Sequence, residues 1–170
     1  MSNQERIISD EKMIISKTDT KGKISYVNAE FCRISGYKRP ELLGNPHSMI
    51  RHQGMPRGVF KCLWQTLQDG QEFNGFIKNI CKGGDYYWVF ATVTPWLSSD
   101  GQSLLGYMSA RRKANRDGVE FFSRLYEEML EQESALSGAA APEASLKYLL
   151  DACENKGVSY DELAVRYQTR

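Results

Sequence analysis

The side chains best suited to chemistry in this 170-residue chain are its few histidines and cysteines. A cysteine paired with a histidine can act as a nucleophile, and clusters of both bind zinc, but each chemistry needs a particular spacing. The sequence has no Cys-x-x-Cys pair, no Gly-x-Ser-x-Gly, no His-Glu-x-x-His and no phosphate-binding glycine loop. We therefore predict a protein that is not an enzyme, with reduced thiols and no zinc site. The residues concerned are His47, His52, Cys32, Cys62, Cys81 and Cys153.

The charge pattern argues against nucleic acid and membranes as partners. The net charge is only +1, which gives the whole chain no strong field. The run Arg111-Arg112-Lys113 with Arg116 is short, and we interpret it as a solvated strand end that pairs with the acidic helix starting at Asp117. No apolar run is long enough to cross a bilayer, and the polar start of the chain is unlike a signal peptide. These features predict a cytoplasmic protein.

Charge also divides the chain near residue 117. Residues 1–116 carry 17 basic and 10 acidic side chains, a net charge of +7, whereas residues 117–170 carry 5 basic and 11 acidic ones, a net charge of −6. We predict an N-terminal cap segment at 1–11 and one domain at 12–115. An amphipathic helix at 116–136, a small-residue linker at 137–143 and a short helical segment at 144–170 should follow.

The elements of the 12–115 domain alternate in a way that indicates an α+β fold. Two short apolar runs flank a turn at 19–22 and predict a hairpin, and short helices capped by Asn28 and ended by Gly36 follow. Strands are predicted at 73–81, 86–97 and 104–110. The expected fold is a five-stranded antiparallel sheet with short helices on one face, plus C-terminal helices. The apolar stripe of the helix at 116–136 would seal the sheet or pair with another copy.

Three separated strings in the same order as these elements resemble the PAS family of sensor domains. They are Tyr26–Phe31, Ser35–Gly44 and Lys82–Val89. The stretch Asn45–His52, followed by Met55-Pro56 and Trp64, resembles more narrowly the PAS domain of bacterial aerotaxis receptors. This resemblance covers about residues 10–115. It implies a redox- or oxygen-sensing domain of signal transduction that binds FAD, forms a homodimer and signals to a separate protein in trans.

The resemblance also implies which residues hold the flavin: Asn28, Arg51, His52, Trp64 and Asn79. A flavin ring is flat and apolar with a polar edge, so Asn79 would serve the edge while Trp64, Phe73 and Trp88 supply the walls. Arg51 and Arg57, with the helix start at Pro56, would bind the pyrophosphate. We predict that reduction of the ring reorients the Asn79 amide and that the sheet relays this change to the helix at 117–133.

The sequence departs from the family pattern in two places. Gln53-Gly54 stands where the aerotaxis pattern has an acidic residue, and the Asn-Cys photoadduct motif of light-sensing flavin domains is missing. Two alternatives stay open. The pocket could bind haem as a gas sensor, with His47 or His52 as the axial ligand, or the chain could be a cofactor-free PAS dimerisation or docking module.

Overall fold

Five strands form one antiparallel sheet in the computed structural model, which describes residues 3–170. The spatial order is β2-β1-β5-β4-β3, so that the first and last strands pair at its centre. This confirms the predicted α+β fold. The strand bounds are β1 Ile14–Thr18, β2 Ile24–Val27, β3 Phe73–Ile80, β4 Tyr86–Leu97 and β5 Leu104–Lys113.

Short helices cover the inner face of the sheet. Asn28 caps the first of them by accepting a hydrogen bond from the Phe31 amide at 3.1 Å. Gly36 ends it in the left-handed conformation, with a φ of 75°, which a residue with a Cβ rarely adopts. Both predicted caps are confirmed. The inner helices are α1 Ala29–Ser35, α2 Arg39–Leu42, a 3₁₀ helix His47–Ile50 and α3 Arg57–Gln68.

Three C-terminal helices wrap around the β3 edge of the sheet. They are α4 Arg116–Ser134, α5 Ala140–Glu154 and α6 Tyr160–Gln168. Helices α4 and α6 pack on β3, and α5 packs on both α3 and α4. Helix α5 starts inside the segment 137–143 that we predicted as a linker, because alanines favour helix and Pro142 is tolerated in a first turn. Within residues 3–170, no helix is long and apolar enough to cross a bilayer.

The apolar stripe of α4 seals the outer face of the sheet. Phe122 stacks on Phe76 of β3 with ring centroids 4.7 Å apart, and Tyr126 stacks near Trp88 of β4 at 6.2 Å. Both α4 rings are almost completely buried. Of the two roles that the sequence left open for this stripe, the structure assigns it the sealing role.

Gly58 allows α5 to lie directly against the start of α3. A Cβ at this position would stand 2.3 Å from the Ser145 Oγ and 2.5 Å from the backbone nitrogen of Leu146. We expect Gly58→Ala to lower the free energy of unfolding by about 1–3 kcal/mol, because the backbone of α5 has to move. Urea denaturation measures this difference. Gly83→Ala is the matched control, since a Cβ there meets nothing within 4 Å; equal losses in both variants would contradict the close contact.

Candidate functional site

A cavity of about 240 Å³ lies between α3 and the inner face of the sheet. One wall consists of α3 side chains that recur every three or four residues, so they share one helical face. The opposite wall consists of alternate residues of the strands, which point to one face of the sheet. Trp64 of α3 meets Tyr107 of β5 edge-on across the cavity, with centroids 5.2 Å apart. The main wall residues are Phe60, Leu63, Trp64, Leu67, Ile77, Asn79, Ala91 and Val93.

Asn79 places an unsatisfied amide on the cavity wall. The side chain is 3% exposed, and its Nδ2 has no hydrogen-bond partner among the described residues. Its neighbour in register on β4 is Tyr87, which is fully buried and whose hydroxyl lies beside the Asn79 side chain without a close hydrogen bond to any of residues 3–170. Burial raises the pKa of the Tyr87 phenol well above its usual range, so this group stays protonated. Buried donors normally have partners, so this wall is built for polar contact.

A buried arginine stands behind the same wall. Arg111 of β5 is 2% exposed, lies over the Phe31 ring at 4.5 Å and donates from its Nη2 to the Ser16 Oγ at 2.7 Å. Its Nε and Nη1 have no partner among the described residues, and burial lowers its pKa to about 10. The guanidinium is therefore charged at neutral pH without a carboxylate within salt-bridge distance in residues 3–170.

His47 connects the hydrogen-bonded pair Arg111 and Ser16 to the cavity surface. Its Nε2 lies 3.1 Å from the Ser16 Oγ, which already accepts from Arg111. The Ser16 hydroxyl is therefore free to donate to an unprotonated Nε2. Burial, reinforced by the charge of Arg111, lowers the pKa of His47 to about 3. The imidazole is thus neutral under ordinary conditions.

Arg51 contributes a second positive charge to the cavity. Its guanidinium carbon stands 3.5 Å over the Phe60 ring, and its Nε is unpaired within the described chain. Burial lowers its pKa, but an arginine remains charged. The backbone of Arg51 bridges that of Asn79, which fixes the two residues relative to each other. None of the described residues that line the cavity is acidic.

Arg51, Trp64 and Asn79 are thus the predicted site residues that the structure brings together at the cavity. Asn28 and His52 lie outside its lining. The Asn28 amide is used by the backbone, accepting from Ile15 and Phe31 and donating to the Met13 carbonyl. The His52 Nδ1 accepts from the Gly54 amide at 2.9 Å, so the imidazole is occupied in its own loop.

Arg57, Phe73 and Trp88 also lie outside the cavity lining, contrary to their predicted roles. The amide and Nε of Arg57 both donate to Glu133 of α4, at 2.7 and 3.3 Å. The start of α3, predicted to hold a pyrophosphate, is therefore capped by a carboxylate of the protein itself. Phe73 stacks on Tyr160 of α6 at 5.6 Å, and Trp88 faces α4.

The basic run at the end of β5 corrects another prediction. Within residues 3–170, its side chains form no ion pair with the acidic residues of α4. Alternate residues of the strand also point to opposite faces. Arg111 is buried behind the cavity, whereas Arg112 lies over the Phe90 ring on the outer face. Lys113 pairs with Asp10 at 3.0 Å, and Arg116 pairs with Glu5 at 2.7 Å. Tyr107 and Ser109 line the cavity, and alternate residues of a strand share one face, so strand alternation predicts that Arg111 points inward as well.

Burial of neutral His47 makes stability depend on pH. Unfolding restores an ordinary pKa near 6.5, so between pH 6.5 and 3 the unfolded chain binds a proton that the folded chain does not. Stability therefore falls as the pH drops through this window. We expect His47→Gln to reduce the slope of unfolding free energy against pH by up to about 1.4 kcal/mol per pH unit. Urea titrations at several pH values measure it.

His52→Gln is the matched control for this titration. Burial lowers the pKa of His52 as well, but less than that of His47, so we expect a smaller change in slope. If wild type and His47→Gln have equal slopes, His47 titrates normally in the folded protein.

Several known proteins have sequences related to this chain. The PAS fold family matches residues 24–108. The chain is 36% identical over 126 residues to the aerotaxis receptor of Escherichia coli (strain K12), covering 74% of this chain and 24% of the receptor. It is 31% identical over 106 residues to the nitrogen fixation regulatory protein of Klebsiella pneumoniae, covering 62% of this chain and 21% of that protein. This chain therefore spans less than a quarter of either relative.

Solved structures with the same fold include light-oxygen-voltage domains. One, described with a flavin analogue, superposes with a TM-score of 0.57 at 19% identity, covering 68% of this chain and 86% of that chain. An RNA-binding light-oxygen-voltage receptor gives a TM-score of 0.55 at 20% identity, covering 75% and 35%. At these identities the likeness concerns the fold. With the sheet order, the inner helices and the family match taken together, the chain belongs to the PAS family of sensor domains.

Proposed function

We propose that the cavity holds the isoalloxazine ring of a flavin and that the domain senses redox state or oxygen through it. The observation that carries this proposal is the Asn79 amide nitrogen, unpaired within residues 3–170, on a cavity whose other walls are largely aromatic and aliphatic. A flat ring with donors and acceptors along one edge satisfies both features. The sensor role of the E. coli aerotaxis receptor and the flavin analogue of the light-oxygen-voltage domain support the same assignment.

The size of the cavity favours a ring inside and a tail outside. Sites that enclose a whole drug-sized ligand measure roughly 300–1,000 Å³, and this cavity of about 240 Å³ is smaller. The tail of FAD would therefore leave past the exposed side chains Lys21 and Ser48, which line the same cavity as Arg51. The Nε of Arg51, unpaired within residues 3–170, is available to a phosphate. The start of α3 is not available, because Glu133 occupies it.

The redox response would begin at Asn79. When bound, a flavin supplies reversible redox chemistry that changes protonation at its ring edge. The backbone of Asn79 is fixed by pairing with Tyr87 and by the bridge to Arg51, so only its amide is free to respond. A half-turn of the Asn79 side-chain amide exchanges its oxygen for its nitrogen at the position that faces the ring edge. A buried group left unpaired costs about 1–3 kcal/mol, which shifts a two-state equilibrium several-fold or more.

A homodimer and a signalling partner in trans remain part of this proposal. The apolar stripe of α4 does not serve either contact, because it is buried against the sheet. The uncovered part of the outer sheet face exposes Tyr26, Trp96 and Met108, with Lys17 over the Trp96 ring at 4.2 Å. This is the surface that we propose for those contacts.

The visible spectrum of freshly purified protein, recorded before and after dithionite, tests the cofactor directly. We expect a flavin spectrum that bleaches on reduction. If the protein purifies without cofactor, FAD at 100 times its Kd should raise the stability by about 2.7 kcal/mol. Riboflavin should stabilise less than FAD at equal concentration, and Arg51→Gln should remove that difference while Arg57→Gln keeps it.

Two outcomes would overturn the flavin assignment. A Soret band in place of the flavin spectrum would favour haem, with His47 as the ligand on the cavity wall. Colourless protein that gains no stability from FAD or riboflavin would favour a cofactor-free docking module.

The role of Asn79 has a control on the same strand. We expect Asn79→Ala to raise the Kd for FAD about tenfold, equivalent to about 1.4 kcal/mol, and to abolish any difference in proteolysis between oxidised and reduced protein. Asn74 points to the opposite face of β3, where its amide donates to Asp161 at 3.0 Å. Asn74→Ala should leave the Kd unchanged. Equal affinities in wild type and Asn79→Ala, measured by flavin fluorescence, would contradict the role given to Asn79.

A further inference from the structure

Helix α4 is attached to both walls of the cavity. Near its middle, the Tyr126 hydroxyl donates to the Phe76 carbonyl of β3 at 2.8 Å. Near its end, the Glu133 carboxylate accepts from the amides of Arg57 and Gly58, the first donors of α3, at 2.7 and 3.3 Å. Seven residues separate the two attachments, so they share one face of α4 about 10 Å apart. One helix thus joins a sheet strand to the helix on the other side of the cavity.

The Glu133 attachment also holds α5. The Ser145 hydroxyl of α5 donates to the Glu133 carboxylate at 2.6 Å. The Ser145 Oγ also accepts a hydrogen bond from the Gly58 amide at 3.0 Å. Glu133 is only 7% exposed, and its charge faces the positive end of the α3 dipole. Three helices therefore meet at a single buried carboxylate, and loss of this contact would remove one of the attachments that hold α5 on α3, beside the Lys61–Glu143 ion pair.

The two attachments differ in their surroundings. Tyr126 is embedded in apolar surroundings, stacked on Trp88 and close to Phe122, and it also bonds the Tyr160 hydroxyl at 2.7 Å. The Glu133 attachment is polar and lies beside the half-exposed side chain of Arg57.

We propose that α4 is a strap across the cavity, through which filling of the cavity loosens the docking of α5 on α3. The cavity lies between Trp64 on α3 and Ala91 on the sheet, so a molecule that fills it acts on the distance between these two walls. Because α4 is fixed to β3, a movement of α3 acts on the hydrogen bonds of Glu133. The output of the sensor is then the release of α5, and its route runs through α3. A flavin is the natural occupant only if the proposed function is right.

Hydrogen exchange of the full chain, read by mass spectrometry, tests the attachment itself. We expect Glu133→Gln to speed amide exchange about tenfold at 57–61 and across α5, while 122–130 keep their protection. Glu131→Gln is the matched control, because Glu131 is exposed on the same helix. If the two variants exchange alike, Glu133 does not hold α3 and α5 together, and the strap is wrong.

A wedge in the cavity tests the coupling without any cofactor. Ala91→Phe places a ring between the two walls, and we expect several-fold faster exchange at 57–61 and in α5. Thr94→Phe adds the same ring on the outer face of the same strand and should leave both segments unchanged. If Ala91→Phe does not fold, Val93→Phe, at a less buried position of the same wall, takes its place. Faster exchange confined to α3, with α5 still protected, would overturn the coupling.

The same measurement with FAD separates this proposal from the proposed function. If Ala91→Phe speeds amide exchange in α5 while the wild-type protein binds no FAD, the strap is supported and the flavin proposal is wrong. If the visible spectrum shows bound FAD, but neither FAD nor Ala91→Phe speeds amide exchange in α5, the flavin proposal stands and the strap is wrong.

Discussion

The stacking of Phe122 on Phe76 is the contact on which the position of every C-terminal helix depends. The two rings lie nearly parallel, 16° apart, and both are fully buried. The helix can approach so closely because residue 118 is a glycine: a Cβ there would stand 2.2 Å from the Phe76 ring. With α4 fixed at this point, Tyr126 reaches the edge carbonyl of β3 and Glu133 reaches the start of α3. The aromatic contact therefore determines which polar contacts are possible further along the helix.

The inner face of the sheet follows the opposite principle, since it gathers polar groups that the protein itself leaves unpaired. Arg111, Tyr87 and Asn79 lie on one face of three neighbouring strands, and each has at least one atom without a partner in residues 3–170. Buried groups of this kind destabilise the fold unless something else satisfies them. Because Arg51 and Arg111 are charged and His47 is neutral, a group with electron-rich atoms satisfies this face better than a cation.

The sequence predicted the fold well because local signals and family strings agreed along residues 10–115. Asn28 and Gly36 act within a few residues, so their positions in the chain are sufficient to identify them. The site was harder to predict. Trp64, Arg51 and Asn79 lie at the cavity, but Phe73 and Trp88 face the C-terminal helices, whose packing around the β3 edge no local pattern describes. The burial of Arg111 was missed because its neighbours in sequence suggested a solvated charge run.

The same packing brings together the two oppositely charged parts of the chain. The acidic C-terminal segment folds back on the basic N-terminal domain, where Glu133 meets Arg57 and Glu143 pairs with Lys61, both on α3. The exposed pair contributes little by itself, but the buried carboxylate occupies donors that an anionic ligand would otherwise use. The start of α3 does bind an anion, but this anion is the Glu133 carboxylate and not the predicted pyrophosphate. Since the protein supplies that anion from α4, the start of α3 is occupied within the chain itself, and α3 remains connected to the C-terminal helices.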